Sequence, residues 1–247
     1  MLPLRHHGVL TLVAAHLAIA APALAAKSEP LPLTPPGGPP GGVSIDALTN
    51  GACQMGVVGP ATRVFAYILP PDDAYYTLIT PAACPTCPTD GRLLTTAHVL
   101  LYFNATCEIP VTVSIVPATD LGDGCLAPDL LAAPLSDPTS YVIGAVTLNQ
   151  CVDYALPVPP GCCIEGPAFL KIEFDQGSCP NYKPGFCGPA ACSDCAQYNT
   201  YPGVTGAHGD DLCSMHGMVG IMNVESTCCS PTSTAPGTWG RLKTLYR

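Results

Sequence analysis

The sequence predicts an all-β fold, a disulfide-rich antiparallel β-sandwich with a jelly-roll-like arrangement of strands. Three observations predict it. Cysteine occurs 15 times in 247 residues, a density typical of exported domains held together by disulfides. Proline (29) and glycine (24) are frequent, and both residues interrupt long helices. Short β-rich runs alternate with turn residues, whereas no helical period of ten or more residues is present.

The strand signal comes from short runs that can bury one face. In residues 111–116 and 168–175, apolar and polar side chains alternate, as expected of strands with a period of two. The second run places Lys171 and Glu173 on the face that we expect to be solvated. A single helical turn is predicted over residues 129–133. The predicted strands are residues 64–69, 75–80, 92–103, 111–116, 141–148, 168–175 and 221–227.

The chain divides into four segments. Residues 1–26 have a basic start, a short apolar stretch and an Ala-x-Ala sequence at 23–25, which together predict a secretory signal peptide. Residues 27–42 form a Pro/Gly linker. Residues 43–230 form the Cys-rich β-sandwich domain. Residues 231–247 form a Ser/Thr/Pro linker and a basic C-terminal tail. The predicted location is therefore secreted, either extracellular or at the cell surface.

The charge distribution excludes one class of partner and suggests another. Between Val43 and Thr238 there are 4 Lys or Arg residues against 17 Asp or Glu residues. A nucleic-acid site needs a basic face that neutralises phosphates, so we predict no nucleic-acid partner. We also predict no membrane span, because no apolar run of about 20 residues is present. The basic tail is expected to contact a surface polymer or a secretion or anchoring partner.

Residues 213–218 contain Cys213, His216 and Met218 close together. This stretch resembles the copper loop of plastocyanin-type cupredoxins, which are exported β-sandwiches. A blue-copper site takes two His, one Cys and a weak axial Met. The resemblance implies a copper site completed by His98 or His208. The competing interpretation is that Cys213 forms a disulfide.

Two acidic turns are candidate calcium sites. They lie at residues 120–124 and 208–211, and the second contains His208 and Asp210. Clustered carboxylates and turn carbonyls are calcium ligands, but Asp and Gly are also ordinary turn residues. We therefore predict no cofactor, with copper and calcium as the alternatives.

The segment Leu-Thr-Thr-Ala-His-Val ending at Val99 resembles the one around the catalytic His of trypsin-like proteases. Those enzymes need a serine nucleophile in a Gly-Asp-Ser-Gly-Gly stretch, whereas residues 209–212 read Gly-Asp-Asp-Leu. We predict no catalytic residue and expect a non-enzymatic structural or binding protein. The alternatives are an extracellular metal-binding protein, either a copper carrier or a calcium-dependent carbohydrate binder, and a secreted hydrolase without a recognisable motif.

Three longer stretches carry a further resemblance. They read L-L-T-T-A-H-V-L-L-Y-F, G-C-C-I-E-G-P-A-F-L-K-I-E-F and T-W-G-R-L-K-T-L-Y-R. Together they resemble uncharacterised secreted Cys-rich β-domain proteins of environmental bacteria. The resemblance implies a secreted bacterial β domain with no known activity, and it supplies no site residues.

Overall fold

The computed structural model describes residues 31–32, 53–65, 72–84, 87, 91–159, 163–175, 177–179, 184–202 and 208–229. The predicted signal peptide, most of the predicted linker and the tail lie outside these residues. The described strands and helix are, in chain order, β1 Leu31–Pro32, β2 Cys53–Gly56, β3 Arg63–Phe65, β4 Asp73–Ile79, β5 Arg92–Tyr102, β6 Glu108–Asp120, β7 Leu126–Pro128, β8 Thr139–Gly144, β9 Cys151–Pro157, β10 Cys163–Ile164, β11 Ala168–Phe174, β12 Gly185–Gly188, β13 Gln197–Thr200, β14 Asp210–Asp211, α1 Leu212–His216 and β15 Met222–Cys228.

The strands form two sheets. The first sheet has the order β1-β8-β6-β11-β4-β13-β14, with β7 paired to the end of β6. The second sheet has the order β2-β15-β5-β12-β3, and β9 and β10 pair with the other edge of β5. All pairings between these strands except that of β1 with β8 are antiparallel. The predicted antiparallel β-sandwich is confirmed, while the jelly-roll connectivity stays a prediction.

The core lies between the two sheets. On β6, Val111, Val113 and Ile115 are fully buried, as the alternation in the sequence predicts. Aromatic rings join the sheets, since the Tyr75 and Phe186 centroids lie 4.6 Å apart. Each fully buried side chain of this size stabilises the fold by about 1.5–3 kcal/mol. Because each strand buries its apolar face in this core, the alternate residues of the strand point outward.

The outer face of the first sheet is partly covered. A second, smaller apolar cluster there includes Tyr76, Phe169 and Tyr198, with Ala127 of β7 packed against them. Residues 129–138, which we call the wall loop, continue from β7. The predicted helical turn over 129–133 is wrong. Instead, the Asp129 carboxylate accepts the backbone N–H groups of the next residues, a local alternative to helix.

Seven disulfides join elements that are distant in sequence. They are Cys53–Cys84, Cys87–Cys228, Cys107–Cys179, Cys125–Cys195, Cys151–Cys187, Cys163–Cys229 and Cys192–Cys213. The neighbours Cys228 and Cys229 have separate distant partners, as expected of adjacent residues that point to opposite faces of a strand. Of the fifteen cysteines, only Cys162 lies outside the described residues.

Two further features bear on the predicted segments. Within the predicted linker, Leu31–Pro32 pairs in parallel with β8 at Tyr141 and Val142. The predicted strand over 141–148 is shorter in the structure, because β8 ends at Gly144. In the described part of the chain the one α-helix has five residues, and no helix there could cross a membrane.

Candidate functional site

A groove opens on the outer face of the first sheet. Its floor is formed by side chains of β6, β11 and β4 that share one face, because cross-strand partners in a sheet point the same way. Lys171 lies in register between Ser114 and Tyr76, and Glu173 lies beside Thr112. The cavity has a volume of about 280 Å³. These strands therefore place hydroxyl, charged and aromatic groups around one small space.

The wall loop closes one side of the groove with Asp129, Leu130, Ala132, Pro134 and Pro138. It is fixed to β6 by hydrogen bonds of 2.7–2.9 Å, in which the Leu135 N–H donates to the Ile115 carbonyl and the Ile115 N–H donates to Ser136 Oγ. The loop thereby takes the place of a neighbouring strand along this part of β6. The groove is consequently a built feature of the fold.

The polar groups on the groove floor are paired with one another. Lys171 Nζ lies 2.6 Å from Glu173 Oε2, and both side chains are about three-quarters buried or more. The ammonium also lies 5.9 Å from the centroid of the Tyr76 ring, within the range of a cation–π contact. Thr112 and Ser140 share a hydroxyl hydrogen bond of 2.8 Å. Our expectation of a solvated face is only partly correct here, because the wall loop covers part of this face.

A second polar cluster, the inner network, lies between the two sheets on β4 and β13. Asn199 Nδ2 donates to Asp73 Oδ1 at 2.5 Å, and the Tyr75 hydroxyl donates to Asp73 Oδ2 at 3.1 Å. Gln197 Nε2 donates to Thr77 Oγ1 at 2.7 Å, while its Oε1 accepts the Gly220 N–H at 2.6 Å. The inner network thus provides partners for the buried polar groups of the sheet.

Burial dominates the titration of Asp73. The side chain is 2% exposed, and desolvation raises its pKa to about 6, although the hydrogen bonds from Asn199 and Tyr75 act in the opposite direction. The protonated form of this carboxyl is therefore favoured in the folded protein relative to an exposed aspartate.

A third cluster, the histidine cluster, lies on the outer face of the second sheet. It consists of His98 on β5, Asp153 on β9, and Asn223 and Glu225 on β15. His98 Nδ1 lies 2.8 Å from Asp153 Oδ2, and His98 Nε2 lies 3.4 Å from Glu225 Oε1. Burial lowers the His98 pKa, but the hydrogen bond and charge of Asp153, with those of Glu225, outweigh it and raise the pKa.

The structure distributes the sequence-predicted copper residues over separate elements. Cys213 is bonded to Cys192, so the expectation of a disulfide there is confirmed and this sulfur is not a thiolate ligand. His216 is exposed at the end of α1, which packs against β13 and β14 of the first sheet, and Met218 follows the helix. His98 instead belongs to the second sheet.

The acidic turns are used locally. Asp210 accepts the Tyr201 hydroxyl at 3.0 Å, and Asp211 is the N-cap of α1. Asp120 Oδ1 accepts the Gly122 N–H at 2.8 Å, as in an ordinary turn. His208 Nδ1 lies 3.4 Å from the Pro128 carbonyl oxygen. Within the described residues, no three His, Cys, Asp or Glu side chains are grouped so that they could hold a metal ion.

The sequence did not identify the groove or the partners of His98. Lys171 and Glu173 carry a signal in retrospect, since they are opposite charges two residues apart on an otherwise buried strand. The approach of Asp153 and Glu225 to His98 carries none, because it depends on the pairing of β5 with two strands that are distant in the sequence.

The fold and the groove define a disulfide-stapled β-sandwich with a ligand-sized depression on one sheet. Comparison with protein-family models, characterised proteins and solved structures finds no match. The resemblance to secreted Cys-rich bacterial proteins stays a prediction.

Proposed function

We propose that this is an exported, non-enzymatic binding protein whose groove holds one sugar-sized, uncharged polyhydroxyl ligand, such as a single unit of a surface polysaccharide. The observation that carries the proposal is the groove itself. It combines an ion pair, two hydroxyl groups and an aromatic ring around about 280 Å³. Ligand pockets begin at about 300 Å³, so this one suits a small unit.

The polar groups of the groove match a polyhydroxyl ligand. A sugar hydroxyl both donates and accepts hydrogen bonds. The groove offers the Lys171 ammonium as a donor, the Glu173 carboxylate as an acceptor, and the Ser114 hydroxyl, which does either. Lys171 and Glu173 neutralise each other, which favours an uncharged ligand over a strong anion or cation.

The apolar parts of the groove match the apolar face of a sugar ring. Tyr76, Val116 and Leu130 line the groove beside the polar groups. A sugar presents C–H groups on one face of the ring, and apolar and aromatic side chains pack against such a face. An entirely polar ligand would leave these side chains in contact with water.

The disulfides support the proposed location. Seven disulfides in one domain fit a protein that folds in an oxidising compartment. The predicted signal peptide leads to the same compartment. A surface or extracellular polysaccharide is a ligand that such a protein would encounter.

The test is a binding screen with the mature protein and its disulfides intact. Immobilised neutral and charged mono- and oligosaccharides are the probes. We expect binding to a neutral saccharide, and at least a tenfold loss of affinity in the double variant Lys171→Met/Glu173→Leu. That variant removes both charges together, so no unpaired charge remains in the groove.

The matched control is Glu165→Gln, a carboxylate that is exposed and lies outside the groove. It should bind like the unmodified protein. The proposal fails if no saccharide binds, or if a saccharide binds equally well to the double variant while thermal unfolding shows that variant to be folded.

A further inference from the structure

Three buried side-chain polar atoms of the described residues lack a well-formed hydrogen bond, and all three belong to the histidine cluster. Asp153 Oδ1 and Asn223 Oδ1 have no partner, and His98 Nε2 makes only the 3.4 Å ion-pair contact with Glu225 Oε1. Asn223 is 5% exposed. A buried polar group without a partner costs about 1–3 kcal/mol, and such groups are rare in native proteins. Their concentration around one imidazole indicates that something binds there.

The strand order fixes which atoms face each ring nitrogen. β9 and β15 pair with opposite edges of β5, so Asp153 lies on one side of His98, and Asn223 and Glu225 lie on the other. Asn223 is the direct cross-strand partner of His98. The contact of Nδ1 with the Asp153 carboxylate holds the proton on Nδ1. In the neutral ring, Nε2 then presents its lone pair towards β15.

That side offers electron-pair donors. Nε2 faces Glu225 Oε1 at 3.4 Å, and Asn223, the cross-strand neighbour of His98, has a buried amide oxygen without a partner. Two ligands that each lie about 2.1 Å from a tetrahedrally coordinated ion are about 3.4 Å apart. The observed separation is therefore compatible with a shared cation as well as with the direct ion pair.

We propose that His98 Nε2, the Glu225 carboxylate and the Asn223 amide oxygen bind one divalent transition-metal ion, with Zn²⁺ as the representative. Water completes the coordination. Asp153 is the positioning residue, because it orients the ring as carboxylates do behind metal-bound histidines. The imidazole ligand selects against Ca²⁺ and Mg²⁺, which take oxygen ligands. An amide serves as the third protein ligand, so the site needs no third His, Cys, Asp or Glu.

The site is independent of the proposed saccharide groove. The groove lies on the outer face of the first sheet, and the histidine cluster lies on the outer face of the second. Failure of either proposal leaves the other unaffected.

The test is a calorimetric titration of chelator-treated mature protein with Zn²⁺ at pH 8, with disulfides intact. We expect one ion per chain, and at least a tenfold loss of affinity in His98→Ala and in Glu225→Gln. Asp153→Asn should lose affinity by about 10- to 100-fold. The controls are His208→Ala and His216→Ala, which alter the other two histidines after the predicted signal peptide and should bind like the unmodified protein.

A second variant keeps the test decisive where His98→Ala does not fold. Asn223→Asp replaces a neutral ligand oxygen by a charged one, so it should raise Zn²⁺ affinity several-fold. Nitrogen NMR should show His98 Nε2 as the coordinating atom. The proposal is overturned if Zn²⁺ does not bind, if Ca²⁺ competes equally, if binding follows His208 or His216, or if NMR shows Nε2 protonated at pH 8 in the presence of Zn²⁺.

Discussion

The inner network and the histidine cluster are both polar groups built into a β-sheet, but they differ in how their atoms are paired. In the inner network, Gln197 and Asn199 make hydrogen bonds through their amide groups. In the histidine cluster, Asn223 and Asp153 each have a buried oxygen without a partner. The buried amide groups of Gln197 and Asn199 therefore have hydrogen-bond partners, whereas the buried amide oxygen of Asn223 has none.

The difference distinguishes polar residues that serve the fold from those that serve a ligand. A matched buried group needs nothing from outside and adds specificity to the packing. An unmatched group lowers stability until something binds to it. The comparison therefore predicts a large loss of stability on apolar substitution in the inner network and a small change in the histidine cluster.

The largest effect is expected from Gln197→Met, which keeps the shape of the side chain and removes its polar atoms. It leaves the Gly220 N–H and carbonyl and the Thr77 hydroxyl without the partner they have now. We expect the free energy of unfolding to fall by about 3–4 kcal/mol. Denaturant unfolding under non-reducing conditions measures it. A loss below about 1 kcal/mol would show that the inner network is not matched as described.

The inner network also predicts a pH dependence of stability. The Asp73 pKa is raised from 3.8 to about 6 in the folded protein, so the folded state holds this proton more tightly than the unfolded state. Its contribution to the free energy of unfolding is fully present below about pH 4 and is lost as the pH rises through about 6. The loss is about 3 kcal/mol.

Asp73→Asn removes this titration. The difference in unfolding free energy between the variant and the unmodified protein should therefore change with pH in the window from about 4 to 6. Asp137→Asn, at an exposed carboxylate on the wall loop, is the matched comparison. Parallel profiles for Asp73→Asn and the unmodified protein would contradict the assignment.

The smallest effect is expected from Asn223→Leu, the counterpart of Gln197→Met in the histidine cluster. Because Asn223 Oδ1 has no partner to lose, an apolar side chain of the same shape should leave metal-free stability within about 1 kcal/mol of its original value. The same unfolding measurement applies, after chelator treatment. A loss of more than about 2 kcal/mol would mean that this oxygen has a partner.

The sequence predicted those parts of the structure that depend on local pattern. Alternation on β6 and β11 located the strands and their buried faces, since the period of two is a local property. The cysteine density predicted disulfides, although not their pairing. Within the described residues, the one α-helix, α1, was missed because five residues are too few to show a helical period. Its local signals were the N-cap Asp211 and the left-handed Gly217 that follows it.

The candidate sites depend on long-range register, which a single sequence does not show. His98 meets Asp153 and Glu225 only because β5 pairs with β9 and β15 in one particular alignment. The groove needs the wall loop to lie along β6, and that loop has no periodic pattern. The Cys213 copper hypothesis is the reverse case. Residues close together in the sequence pointed to a site, but Cys213 forms a disulfide with Cys192 instead.

The adjacent disulfides of Cys228 and Cys229 have a mechanical consequence. The chain leaves β15 at this point, and the two bridges tie it to Cys87 and to Cys163 on β10. A pull on the C-terminal segment is therefore carried by covalent bonds and does not peel β15 away from β5 one hydrogen bond at a time. In single-molecule pulling from both ends, the oxidised domain should release much less contour length than the reduced one. A protein tethered through its C-terminal segment in flowing medium would remain folded under load.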